Sequence, residues 1–212
     1  MIKDIRLLQC GWGSKPSRHI AEITLTTGDV QRPTWRGLNR YWGYANPLEV
    51  EYTAKSFSGD KFVLCCTVAS GQGGIVAVWN TSNRRWIQVS EADYITCGLL
   101  FEELNVIISF HYIHNYMVAG HHSIDVTPIT GNKDVGSLSI LVPFERSESG
   151  FDPDQYSITQ SAYADFCTNN NGPVGIFYVK DAGIFYAHDA GILYTFTVDV
   201  LKTVLREEDY IQ

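Results

Sequence analysis

The chain has no Cys-x-x-Cys pair, which excludes a zinc knuckle and a thioredoxin-type redox motif. No apolar stretch approaches the about 18 residues of a membrane span, and the N-terminal run from Met1 to Gln9 has no apolar segment of signal-peptide length. A cytoplasmic protein with no membrane partner is the resulting expectation. No Gly-x-Ser-x-Gly nucleophile elbow occurs. Gly11–Ser14 and Ser70–Gly74 are Gly-rich but lack the Lys-Ser/Thr ending of a phosphate loop. No charge run or low-complexity linker marks a domain boundary, so residues 1–212 are read as one domain. Basic residues are too few to favour nucleic acid, because phosphate contacts need clustered positive charge. Residues 1–46 carry seven Lys/Arg against three Asp/Glu, and residues 47–212 carry nine against twenty, for a net charge of −7. Such a body suits a basic protein partner through long-range steering.

Five cysteines are present, an odd number, so at least one thiol is free or pairs with another chain. Buried, reduced cysteines are the expectation. Cys65 and Cys66 are adjacent and would point to opposite faces of a strand.

What the chain does have is a repeat. Gly175–Ala182, Gly183–Ala190 and Gly191–Tyr194 share the pattern Gly-Ile-aromatic-Tyr with a period of eight residues, broken by Leu193 in the third copy. Asp181-Ala182-Gly183 and Asp189-Ala190-Gly191 read as tight turns, since Gly reaches the left-handed region at no steric cost and Asp bonds to nearby backbone. The apolar, aromatic segments between them are β-prone. The segment therefore predicts three antiparallel strands rather than one continuous apolar strand. An even period is also expected to keep equivalent side chains on one face.

Other strand candidates are Ile5–Cys10, His19–Thr26, Leu48–Ala54, Phe62–Val68, Ile75–Trp79, Arg85–Val89, Ile95–Phe101, Val106–Tyr112, Ser123–Val126 and Ser137–Val142. Ser157–Phe166 is read as strand rather than helix, and residues 31–47 as irregular. One helix is expected, over Asp199–Asp209. Asp199 would cap it, Val200, Leu201, Val204 and Leu205 form its apolar stripe, and the acidic end Glu207–Asp209 should fray against the macrodipole. The fold class is all-β, built from antiparallel meanders with one short C-terminal helix. Ile75–Val89 resembles the middle of a β-propeller blade, in which a strand ending in an aromatic and a polar residue turns into an aromatic-led return strand. That resemblance implies a small propeller-like fold of four or five blades, although no Gly-His to Trp-Asp signature is present. A β-sandwich or barrel is the alternative.

Two segments are candidates for function. In Gln31–Tyr44, Arg32, Arg36 and Arg40 are interleaved with Trp35, Tyr41, Trp42 and Tyr44, the residue types of interface hot spots. These seven are the candidate partner contacts. They also suit sugar stacking, and the competing reading is a loop anchored by its aromatics with Arg paired to the acidic body. In the second segment, His111, His114, His121, His122 and Asp125 are a candidate divalent-metal site, the one cofactor considered. On a strand, His111 and His114 point to opposite faces and converge only if the strand ends near Ile113. His121 and His122 diverge likewise. Asp152 and Asp154 lack the other ligands of a calcium loop, and Glu102-Glu103 read as a solvated turn. The expectation is a protein-binding module rather than an enzyme, of the inhibitor or toxin-neutralising (immunity) type. The alternatives are a metal-dependent hydrolase at the histidine cluster and a lectin-like ligand-binding protein.

Overall fold

The structure, a computed structural model, describes residues 1–8, 17–39, 50–68, 74–92, 95–115, 118–131, 140–147, 155, 158, 160–164, 174–189 and 191–212. Among them the strands form three antiparallel sheets. The first contains β1 (Ile2–Leu7), β2 (Ala21–Leu25) and β3 (Val30–Gln31), followed by a short helix, α1 (Trp35–Asn39). A meander of β4 (Val50–Ser58), β5 (Lys61–Val68), β6 (Gly74–Asn80) and β7 (Arg85–Ala92) comes next. A second meander forms the four-stranded sheet: β8 (Ile95–Phe101), β9 (Val106–Asn115), β10 (Val118–Pro128) and β11 (Ile140–Leu141). After β12 (Glu145–Ser147), a third meander runs through β13 (Gln160–Ala164), β14 (Val174–Val179), β15 (Ile184–Asp189) and β16 (Ile192–Thr197) into helix α2 (Val198–Glu207). β13 pairs with β4 through Tyr163–Lys55 and Ala164–Ala54, and β12 pairs with β16, so the first and third meanders fuse into one nine-stranded sheet. The all-β class is as expected.

The three meanders fan out from their leading strands. β8 is the edge strand of its own sheet, and Leu100 on it is fully buried. A buried edge leaves backbone groups that must find partners. Here the Leu100 N–H donates to Ser56 Oγ on β4 at 3.2 Å, and the Leu100 carbonyl accepts from the Gln160 side-chain amide on β13. The three leading strands are thus tied together at one residue. The arrangement shares its meander order with propeller blades and its stacked faces with a sandwich, and no closed barrel or ring forms among the described residues.

The four-stranded sheet lies between the two halves of the nine-stranded sheet. Directly opposed residues share a face, so Gly98, Ser109 and Asp125 point one way. That face meets β5: a Cβ on Gly98 would lie 2.4 Å from Cys65 Sγ, so only glycine fits. The other face carries Phe101, Phe110 and His122 and meets β14–β16. Phe101 packs edge-on to Tyr178 and Phe185 at 5.0 Å, and Phe110 sits 5.4 Å from Tyr194. Leu201, Val204 and Leu205 of α2 join this core. A second core lies on the far side of β5 and β6, where Phe62, Leu64, Ile75 and Ala77 pack on Ile5, Ile23, Trp35 and Leu38. β5 and β6 read as near-continuous apolar runs because both their faces are buried. Cys65 enters the first core and Cys66 the second, as their alternation requires.

The turns follow the sequence reading. Gly183 and Gly191 sit at φ +65° and +83°, and the Gly183 N–H closes its turn on the carbonyls of Val179 and Lys180. The Asn80 carboxamide accepts from the backbone N–H groups of Ser82 and Asn83, and Trp79 and Trp86 meet edge-on at 5.3 Å across the hairpin.

Three expectations are corrected. First, repeat-equivalent side chains do not share a face: Tyr178 and Tyr194 enter the core, while Tyr186 lies on the opposite face, stacked on the buried Phe177 at 5.2 Å. Val179 pairs with Ile184 and Asp189 with Ile192, so each loop has an even number of residues. Opposed partners are then an odd number apart, and residues eight apart fall on opposite faces. Second, α2 is capped by Thr197, whose hydroxyl accepts from the Val200 N–H at 3.2 Å, with Asp199 inside the first turn. Third, the acidic end of α2 is closed. Asp209 takes a left-handed conformation, its N–H bonds the Arg206 carbonyl at 3.0 Å, and the Tyr210 N–H bonds the Leu205 carbonyl at 2.8 Å, the pattern of a Schellman cap. In addition, residues 31–39, read as irregular, include β3 and α1. Thr34 starts α1 by accepting from the Gly37 N–H at 3.2 Å.

The junction at Leu100 makes a prediction. Ser56→Ala leaves a buried N–H without its acceptor and should destabilise the fold by about 1–3 kcal/mol in urea unfolding, with the slope against urea unchanged. A loss within error would remove the junction from its structural role.

Candidate functional site

The Arg-aromatic segment is only partly described. Arg40, Tyr41, Trp42 and Tyr44 lie outside the described residues. Gln31 is buried and links β3 to the β6–β7 hairpin: its amide donates to the Thr81 carbonyl at 2.8 Å, and its carbonyl accepts from the Trp79 indole at 3.0 Å. Trp35 is 3 % exposed and belongs to the second core, so it anchors the segment from within instead of presenting a contact. Arg32 is exposed but paired with Glu22 at 2.9 Å, and Arg6 holds the other Glu22 oxygen at 2.9 Å. The Arg32 hydrogen bond is the main cause that holds the Glu22 carboxyl below its ordinary value. Arg36 is exposed on α1.

The histidine segment splits between two faces. β9 does not end near Ile113 but runs to Asn115, so the condition for convergence of His111 and His114 is not met. The His114 side chain lies outside the described residues. His111 is 2 % exposed and pairs with Asp125, Nε2 to Oδ2, at 3.4 Å. His121 is exposed. His122 enters the opposite face, where its ring stacks on Phe110 at 5.2 Å. Its Nε2–H donates to Asp189 Oδ2 at 2.8 Å, and its Nδ1 accepts from the Tyr194 hydroxyl at 2.7 Å. These partners assign the tautomer. Among the described residues no three His, Cys, Asp or Glu side chains converge on a common centre as a metal requires. Sequence reading placed Asp189 in a turn and had no signal that it would meet His122 across the sheets.

The described thiols are not poised for chemistry. Cys65, Cys66 and Cys97 are free and buried, and burial pushes all three well above the ordinary thiol value. Thiolate nucleophiles need the opposite shift. Cys10, Cys167, Asp152 and Asp154 lie outside the described residues.

A cleft of about 490 Å³ opens where β4 and β8 end and β13 begins. Phe57 and Ser58 come from the end of β4, Phe101 from the end of β8, Gln160 and Ser161 from β13, and Tyr178 from β14. Its lip holds Glu102 and Glu103, exposed on the turn after β8, and Lys180. The Glu102 carboxylate accepts from Ser58 Oγ at 2.7 Å and Lys61 Nζ at 3.4 Å. Burial, and secondarily the nearby Glu103 charge, push the Tyr178 phenol above its usual value, so it stays protonated at neutral pH. The cleft thus has an aromatic floor and a rim that carries two carboxylates and the Lys180 ammonium. Glu102 and Glu103 lie on an exposed turn, as the sequence predicts. The floor has no sequence signal, because its residues come from separate segments. A second cleft, of about 390 Å³, lies between Phe144, Tyr186, Phe196 and Val200 and carries one carboxylate, Glu145.

No described helix is long and apolar enough to cross a membrane. Comparison with known protein families, with curated proteins and with solved structures finds no match to this chain.

Two predictions follow from the buried polar groups. Tyr194→Phe removes the hydroxyl from His122 and should cost about 1–2 kcal/mol in urea unfolding. In a His122→Phe background the same change should cost less, and equal costs would show that the two do not act together. The second concerns pH. Burial lowers the His188 pKa below the ordinary imidazole value of 6.5, with Asp189 opposing. The unfolded chain then binds more protons than the folded one below that value. His188 stabilises fully above about pH 6.5 and progressively less as pH falls toward its folded pKa. Urea midpoints measured on both sides of that range should converge in His188→Phe relative to wild type. An unchanged difference would refute the assignment.

Proposed function

We propose that the protein is a binding module that docks a basic protein segment at the cleft where β4 and β8 end and β13 begins, and that it acts as an inhibitor or neutralising partner of that protein. The observation that carries this reading is the combination of an aromatic floor with the Glu102–Glu103 rim in a chain of net charge −7. Aromatic side chains supply apolar contact with little entropy cost, and the acidic field raises the encounter rate of a basic partner. The placement of other reactive groups supports binding over chemistry. The described thiols and the imidazoles of His111 and His122 are spent in cores and cross-sheet contacts.

The test is titration of the full chain with a poly-arginine peptide by calorimetry at low and high salt. Binding is expected at low salt and should weaken as salt rises. The double variant Glu102→Gln, Glu103→Gln should bind on the order of tenfold more weakly, equivalent to about 1.4 kcal/mol. Absence of binding, or an affinity indifferent to salt, would overturn the reading.

A further inference from the structure

We infer that the cleft is an arginine pocket: it takes one arginine side chain of the basic segment, with the guanidinium between the Glu103 carboxylate and the aromatic floor. This rests on the docking site proposed above and names what enters it. The volume, about 490 Å³, falls within the range of about 300–1,000 Å³ typical of ligand sites and leaves room for residues flanking the arginine. Half-buried Phe57 and the small exposed part of Tyr178 line the cleft and offer apolar surface to a long aliphatic stem, the usual way a charged side chain buries its methylenes while its head stays polar, and buried Phe101 backs them.

The carboxylates are not equivalent. Glu102 already receives Ser58 and Lys61 and serves to hold the rim in place. Glu103 is exposed and lines the same cleft as Tyr178, so it is the carboxylate left to meet an incoming cation. A cation arriving there meets a carboxylate on one side and a neutral phenol on the other. Arginine fits this better than lysine. Its planar guanidinium stacks on rings, forks onto a carboxylate, and gives up its hydration more readily than a compact ammonium. Lys180, on the same lip, bears the same sign as the incoming group and opposes entry. That opposition gives the proposal an unusual consequence, because removing a charged side chain from the site should improve binding.

The experiment is nuclear magnetic resonance of the isotope-labelled full chain, titrated with N-acetyl-arginine methylamide and with the matching citrulline compound, which has the same shape without the charge. The arginine ligand should shift the amides of Phe101, Glu103 and Tyr178 saturably, and citrulline should bind at least about fivefold more weakly. Glu103→Gln should weaken the arginine ligand by a similar factor, while Lys180→Ala should tighten it about twofold or more. A variant that merely damages the fold does not gain affinity, so Lys180→Ala separates a local effect from a structural one. Unshifted cleft amides, equal binding of citrulline, or no gain in Lys180→Ala each overturn the pocket. A poly-arginine peptide that binds while the cleft amides stay still refutes the pocket and leaves the basic-partner reading standing. A peptide that does not bind at all refutes both.

Discussion

The fold depends on how a buried sheet edge is closed at Leu100. β8 is the first strand of its meander and an edge of its sheet, yet Leu100 is fully enclosed. An edge strand in that position exposes a row of donors and acceptors with no water to satisfy them. Ser56 and Gln160 supply the missing acceptor and donor from β4 and β13. Because both come from leading strands, the same contact that satisfies the edge brings the three meanders to a common line. Everything further out inherits that geometry. The four-stranded sheet is covered on both faces, and the nine-stranded sheet wraps it from either side. At the end of the line, where β4 and β8 run out and β13 begins, the cleft opens.

A second set of constraints fixes register between the stacked sheets. Apolar faces alone tolerate a shift of one sheet over another, since one aliphatic contact replaces another at little cost. Polar contacts do not. His122 has both ring nitrogens engaged, by Asp189 and by Tyr194, and its ring lies flat on Phe110. A displacement of β10 against β15 and β16 would strand a carboxylate, an imidazole and a phenol together in the core. The His111–Asp125 contact lies on the other face of the same strand pair. β9 and β10 are therefore pinned from both sides, a role in specificity more than in net stability.

Much of the architecture was legible in the sequence because it is local. The Asp-Ala-Gly breaks produce positive-φ glycines and hairpins, and β8 begins and ends at Ile95 and Phe101 as its apolar run does. The adjacent Cys65 and Cys66 divide between two cores because strand alternation leaves no other outcome. What failed were inferences that crossed a turn. The eight-residue repeat was expected to keep Tyr178, Tyr186 and Tyr194 on one face, yet parity is reset by loop length, which the repeat itself does not display. Trp35 looked like a surface anchor because it stands among arginines. Its burial comes from the packing of α1 against β7 and from the core of the first sheet, contacts distant in sequence. The site was the least legible part. Phe57, Phe101, Gln160 and Tyr178 meet only because three leading strands converge, and no spacing along the chain encodes that meeting.

The distribution of reactive groups then bears on what such a scaffold does well. Proton transfer at neutral pH calls for a group whose pKa lies near the working pH, placed where substrate can reach it. Here the described thiols are driven upward by burial, away from neutrality, and stay protonated. At the cleft the Tyr178 phenol is likewise held neutral, beside carboxylates exposed to solvent. On the binding reading proposed above, such a surface discriminates partners by sign and by the geometry of the group they insert. On that reading the rigidity that the Leu100 junction imposes serves the same purpose, since a site held by hydrogen bonds loses little entropy when it is filled.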